Sequence, residues 1–262
     1  MATDIVDIPT ARFIAGYCFI LIVLALIRIK DIRLSRDLLI SAARMTVQLF
    51  IMAFVLKMVF DLQLWYIVLA IELVIFLMAS QIVFNRVKAR TNNLMRNVFF
   101  ALVAGAGTIL LIFLVVVVGR EPLYDPRYVI PLGGMIIGNA MNACAIAYER
   151  FHSSINRDKK LIMTLLSYGA TYKESTAMQF REALKAAFLP ILITMSATGI
   201  VALPGMMTGQ ILSGSDPLTA VEYQITIMLA ITSSNALVAF LILHLQNKEF
   251  FNDLHQLKII NM

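Results

Sequence analysis

The sequence predicts an all-α integral membrane protein of about seven transmembrane helices, with a single transmembrane domain over residues 1–262. Three observations carry this reading. The chain is 60% apolar and only 15% charged, with a mean hydropathy of +0.83, whereas soluble domains are about half apolar and a quarter charged. Seven apolar runs are long enough to cross a hydrocarbon layer as helices. None alternates as a strand would, and lipid offers exposed backbone groups no partner, so helices are the default.

In chain order the runs are about Phe13–Ile29, Leu38–Phe60, Leu64–Phe84, Val98–Val118, Tyr128–Tyr148, Phe188–Leu203 and Tyr223–Leu245. Lys and Arg crowd the alternate loops. Arg28–Arg36, Arg86–Arg96, Arg150–Lys185, Lys248 and Lys258 put seventeen on one side, and Arg12, Arg120 and Arg127 put three on the other. The positive-inside bias then places the N-terminus outside and the C-terminus in the cytoplasm. The net charge of +6 is thereby topological, and nucleic acid is not an expected partner. The acidic opening MATDIVDIP lacks the basic n-region of a signal peptide.

Cys18 and Cys144 both fall in spans and are expected as free thiols, while His152, His244 and His255 are scattered. There is no H-E-x-x-H motif, no Ser/His/Asp pattern and no G-x-x-x-x-G-K-[ST] loop. No catalytic residue and no resident cofactor is expected in this chain.

The longest polar region, about residues 149–187, has its own grammar. Ile162, Leu165, Leu166 and Gly169 lie on one face of a helix that Gly169 would stop. Thr171 and Glu174 have the spacing of a capping box, which would start a second helix running through Phe180 and Leu184 until Pro190. The corner Gly169-Ala170-Thr171 would then project from the cytoplasmic face. It reads either as an amphipathic linker or as a coupling helix fitting a groove in a soluble partner.

Two hydrophobic segments are unusually polar and rich in Gly and Pro. Ile130–Phe151 contains Pro131, Gly133, Gly134, Gly138, Asn139 and Asn142, and Gly199–Pro217 contains Pro204, Gly205 and Gly209. Interrupted segments in pairs mark substrate sites in transporters, although small residues also serve close helix packing. Met135, Met141, Met206 and Met207 coincide with these segments, and thioethers suit soft metals as well as apolar packing. Arg44 and Gln48 share a face of the second span. At about 1.5 Å per residue, Gln48 and Glu72 come to similar depth, so Arg44 and Glu72 are read as a structural ion pair or as a translocation element. Lys57 lies near an outer end, where it can snorkel.

The blocks IPLGGMIIGNAMNA (130–143), LSYGAT (166–171) and LPGMMTGQILSGSDPLTAVEYQI (203–225) resemble the signature blocks of the FetB-type iron-export ABC permease family, which has plant relatives linked to aluminium tolerance. ARMTVQLFIMAFVL (43–56) fits its second span, and the likeness covers essentially the whole chain. The resemblance implies a permease of a bacterial inner membrane, paired as a homodimer with a separate ABC ATP-binding subunit that holds ATP and Mg, and exporting iron or a related metal as ion or chelate. Gln48, Glu72, Met135, Asn139, Met141, Asn142, Met206, Met207 and Gln210 are then the pathway candidates. Leu165, Leu166, Gly169, Ala170, Thr171 and Glu174 are the coupling candidates, and Leu203–Gln210 the outer gate. The alternative is an ion-gradient-driven secondary transporter using Glu72. A seven-span receptor shares the topology, but short outer loops without a cysteine pair argue against it.

Overall fold

The computed structural model describes residues 8–32, 34–87, 91 and 93–252. The acidic opening (residues 1–7), His255 and four of the cations counted above (Arg33, Lys88, Arg90 and Lys258) lie outside the described residues.

The described chain is helical: α1 (Thr10–Ala15), α2 (Cys18–Ile29), α3 (Ser35–Leu62), α4 (Trp65–Arg86), α5 (Leu94–Leu102), α6 (Thr108–Ile112), α7 (Pro126–Arg157), α8 (Lys159–Ser167), α9 (Tyr172–Ser175), α10 (Ala177–Ala197), α11 (Gly205–Leu212) and α12 (Pro217–Glu249). One π-helical turn, Val103–Gly107, joins α5 to α6, and a second, Phe113–Val118, extends the same rod beyond α6. Among the described residues the β contribution is a single isolated bridge, Thr198 to Ala202. Six helical stretches are long and apolar enough to cross a membrane: Thr10–Ile29, Ser35–Leu62, Trp65–Arg86, Leu94–Val118, Pro126–Arg157 and Pro217–Glu249.

The two longest helices, α7 and α12, start alike. Asp125 accepts from the Arg127 N–H at 3.0 Å, Asp216 accepts from the Leu218 N–H at 3.0 Å, and each is followed by proline at the first helical position. The aspartate satisfies an orphan donor, and the proline needs none. These two helices form the centre of the bundle. Ile136, Ile137, Ala140, Cys144 and Tyr148 of α7 are buried, as are Ile227, Val238, Ile242 and Leu243 of α12. By contrast α2 has no buried residue and α3 only Val59. Phe19, Leu49 and Phe54 on these helices are exposed, as lipid-facing side chains are.

The run 188–203 departs from a plain span. α10 passes Pro190 without stopping and ends at Ala197. A proline removes one backbone donor, yet unwinding at this depth would strand several more groups in an apolar medium, so the helix persists. Its first half carries Arg181, Glu182 and Lys185, which keeps it out of the six. After Ala197 the chain turns through Gly199 (φ +87°) and resumes as α11. The Ile130–Phe151 segment, expected to be weakened, lies in one unbroken helix, α7. Of the two suspected interruptions, only Gly199–Pro217 is real.

The bundle has two distinct ends. At one, Arg86 meets Glu149 at 3.9 Å, Asn93 donates to Glu249 at 3.0 Å, and Asn247 donates to the Thr176 hydroxyl at 2.9 Å. At the other, Gln63, Arg120 and Asp125 share one small cavity, while Arg127, Ser215 and Thr219 share another. α10 and α11 together therefore carry the chain from the first end to the second.

Candidate functional site

A cavity of about 450 Å³ opens between α7, α10, α11 and α12. α7 supplies Met135, Asn139, Asn142 and Ile146, spaced by four, three and four residues along one helical face. α12 answers with Gln224, Met228, Ile231 and Asn235 at the same spacing. Pro190 and Thr194 of α10 and Met206 of α11 complete the wall, with Arg86 at the rim. A second cavity of about 360 Å³, lined by Arg127, Tyr128, Gln210, Ser215 and Tyr223 among others, also touches Met135 and Met206. Those two thioethers stand where the cavities adjoin.

The amides are oriented by their own helices. The Asn139 Nδ2 group donates to the Met135 carbonyl at 2.8 Å, and the Asn142 Nδ2 group to the Gly138 carbonyl at 3.2 Å. One N–H of each amide is thereby taken by backbone, leaving its second N–H and its oxygen to face other partners. The Asn142 Oδ1 accepts from Arg86 at 3.4 Å. Three buried amide oxygens, Gln210 Oε1, Gln224 Oε1 and Asn235 Oδ1, have no hydrogen-bond partner, although buried polar groups are nearly always paired. The residues lining the cavities therefore carry spare acceptors, those three lying just behind the surface.

Five of the nine expected pathway residues line these cavities: Met135, Asn139, Asn142, Met206 and Gln210. Met141 packs against the apolar core instead, and Met207 lines neither cavity. Gln48 and Arg44 are exposed on the peripheral helix α3, and no Arg44–Glu72 pair forms among the described residues. Equal depth did not imply a shared face, because Glu72 points the other way, against α7. It is only 6% exposed, both carboxylate oxygens lack a partner, and a Cβ on Gly133 would sit 2.7 Å from its carboxyl carbon. Glu72 lines neither cavity. Sequence reasoning missed Gln224, Met228 and Asn235. Their spacing along the last span was the available signal.

The polar loop forms the expected corner. Gly169 (φ +90°) follows the end of α8; the Ala170 N–H reaches the Leu165 carbonyl at 3.1 Å, and the Gly169 N–H the Leu166 carbonyl at 3.0 Å. This is the bonding of a Schellman motif, where only glycine is unstrained. The capping box follows: the Glu174 N–H donates to the Thr171 hydroxyl at 3.3 Å, and the Thr171 N–H to Glu174 at 2.8 Å. Leu165, Leu166 and Ala170 are half-buried, and Tyr168 is 87% exposed at the tip.

The second helix is not continuous from Thr171. It breaks at Thr176, whose hydroxyl donates to the Tyr172 carbonyl at 2.7 Å and is bound by Asn247 of α12. Behind the corner, Glu182 of α10 gathers Arg150, Ser154 and Arg157 of α7, with 2.9 Å to Arg157. The loop is thereby anchored to the helices that line the cavity.

The Thr171 N–H and hydroxyl hold the Glu174 carboxyl below the usual carboxylate range. A depressed folded value means that the capping contribution is present above the ordinary value and lost as pH falls through the folded one. Thr171→Ala should weaken this corner by about 1 kcal/mol, read as faster amide exchange at Tyr172–Ser175 with cavity residues unchanged.

Residues 10–251 match the family described as Uncharacterised protein family (UPF0014). A UPF0014 membrane protein of Synechocystis is 34% identical over 236 residues, covering 90% of this chain and 91% of that protein. The protein of Escherichia coli named Probable iron export permease protein FetB is 32% identical, covering 97% and 96%. Protein ALUMINUM SENSITIVE 3 of Arabidopsis thaliana is 29% identical, covering 93% and 88%. No solved structure matches the chain. With a family match over nearly its whole length and six membrane-length apolar helices, the chain is a multi-pass membrane protein of the UPF0014 family.

Proposed function

We propose that the chain is the membrane-spanning permease subunit of an ABC transporter that exports iron or a related metal. ATP and Mg would be held by a separate ATP-binding subunit, and two permease copies would pair in the membrane. The observation that carries this reading is the amide- and thioether-lined cavity between α7, α10, α11 and α12, since polar groups at membrane depth face a pathway or a protein partner. The name of the Escherichia coli relative agrees with it.

In this reading α10 and α11 together make the seventh crossing. The seventeen-to-three bias of Lys and Arg puts the N-terminus outside and the C-terminus in the cytoplasm of a bacterial inner membrane. The Gly169 corner then faces the cytoplasm and meets the ATP-binding subunit as a projecting helix fits a groove. Motion of the corner reaches the cavity along two bonded routes: Thr176 to Asn247 on α12, and Glu182 to α7. Leu203–Gln210, the end of the break together with most of α11, serves as the outer gate.

Co-purification with an ATP-binding subunit, followed by metal-stimulated ATP hydrolysis, tests the assignment; full metal export from vesicles holding this chain alone, without nucleotide, would end it. Asn139→Leu is expected to leave insertion unchanged. A polar contact to a charged group is worth about 1.5–3 kcal/mol, so export should fall by about tenfold or more. Normal export by that variant would return Asn139 to a packing role.

A further inference from the structure

The donor set of the larger cavity constrains its cargo more narrowly than "metal". Its candidate ligating groups are the thioethers of Met135, Met206 and Met228 and the amides of Asn139, Gln224 and Asn235, the last two with oxygens that lie just behind the cavity surface. No carboxylate, imidazole or thiol lines it. Among the described residues, no three His, Cys, Asp or Glu stand together anywhere as a metal-holding group.

Gln224 and Asn235 are 5% and 6% exposed, and their amide oxygens are unpartnered. A buried acceptor without a donor is costly, and both a donor and a cation relieve it. Charge and softness decide what kind of cation. The cost of burying an ion rises with the square of its charge, and uncharged ligands leave that charge uncompensated. The Arg86 guanidinium that also lines the cavity, paired with Glu149 at 3.9 Å, supplies no negative charge to offset this. Hard, highly charged ions are held by carboxylates and water, while thioethers select soft ions such as Cu(I).

We propose that this cavity binds a soft, low-charge metal cation directly through methionine sulfur and amide oxygen, preferring monovalent ions of the Cu(I) class, accepting borderline divalent Fe(II), and rejecting hard trivalent ions. Its place in a transport cycle rests on the permease reading above, but binding itself needs neither nucleotide nor a second subunit.

The full chain, purified in detergent without an ATP-binding subunit, is titrated with Ag(I), with Fe(II) under anaerobic conditions, and with Al(III). Ag(I) should bind most tightly and Al(III) not measurably. Changing Met135, Met206 and Met228 together to leucine conserves volume and removes three direct ligands. Outer-shell partners alone are worth about 10–100-fold in metal affinity, so Ag(I) binding should weaken by at least tenfold. The pair Met78→Leu and Met163→Leu, exposed and outside the cavity, should leave it unchanged. If the triple variant does not fold, Met206→Leu alone should still give a several-fold loss. Undiminished Ag(I) binding in the folded cavity variants, or Al(III) binding tighter than Ag(I) and lost in Asn235→Leu, overturns the proposal. Retained Ag(I) selectivity in a protein that proves not to work with an ATPase would sink the transport reading and leave this one standing.

Discussion

Gly133→Ala is expected to push the buried Glu72 carboxyl aside and destabilise the bundle by about 1 kcal/mol, the low end of overpacking because only the end of one side chain must move. The same exchange in an open helix position should gain up to about 1 kcal/mol. The reversal comes from one neighbour. A Cβ at residue 133 would lie 2.6 Å from Glu72 Oε2 and 2.7 Å from the carboxyl carbon, and the Glu72 side chain is buried, so its carboxyl must turn within a packed interior. Gly134 and Gly138 have nothing within 4 Å of the same built atom, so their alanine variants should be neutral or stabilising. The effect should disappear in a Glu72→Ala background, giving a coupling of at least about 1 kcal/mol in the double-mutant cycle. Cys144 is fully buried and Cys18 exposed. In a Cys18→Ser background, thiol labelling on heating therefore reports unfolding through Cys144 alone. Equal shifts for all three glycine variants would show that close approach is not what residue 133 is for.

The contrast between these glycines shows where the sequence could be read and where it could not. A run of Pro131, three glycines and two asparagines looks weak by local propensity, yet α7 is unbroken. At membrane depth, leaving backbone groups unpaired costs more than the propensity deficit of those residues. Gly169, Thr171 and Glu174 were legible because their geometry is local: a left-handed C-cap and a capping box lie within six residues. The cavity was half legible. Met135, Asn139 and Asn142 stood out as clustered polarity on α7, whereas Gln224 and Asn235 are single amides in an apolar run and become a wall only when α12 packs opposite α7. Arg44 and Glu72 show the same limit. Residue counting gives depth in the membrane, while the direction a side chain faces is set by tertiary packing. The π-helical turns of the fourth rod left no sign that hydropathy could detect.

If the chain is the proposed permease, Gly169→Trp should abolish ATP-driven export while leaving the membrane bundle folded. Space is not the obstacle, since nothing lies within 4 Å of a Cβ built there. The obstacle is the backbone: at φ +90° an L side chain is strained by about 1–3 kcal/mol. Relief requires opening the Schellman bonds to Leu165 and Leu166, which would turn α8 relative to α9. That corner is exposed, so the strain should not propagate into the core. It would act instead on the contact surface offered to a partner, enlarged as well by an indole. Gly169→Asn separates the two causes, because asparagine tolerates left-handed backbone better than other side chains do. It should keep most of the export that the tryptophan variant loses. ATP hydrolysis by the assembled complex, measured beside export, completes the test: continued hydrolysis without export in Gly169→Trp places the fault in coupling, whereas unchanged export would remove the corner from the mechanism.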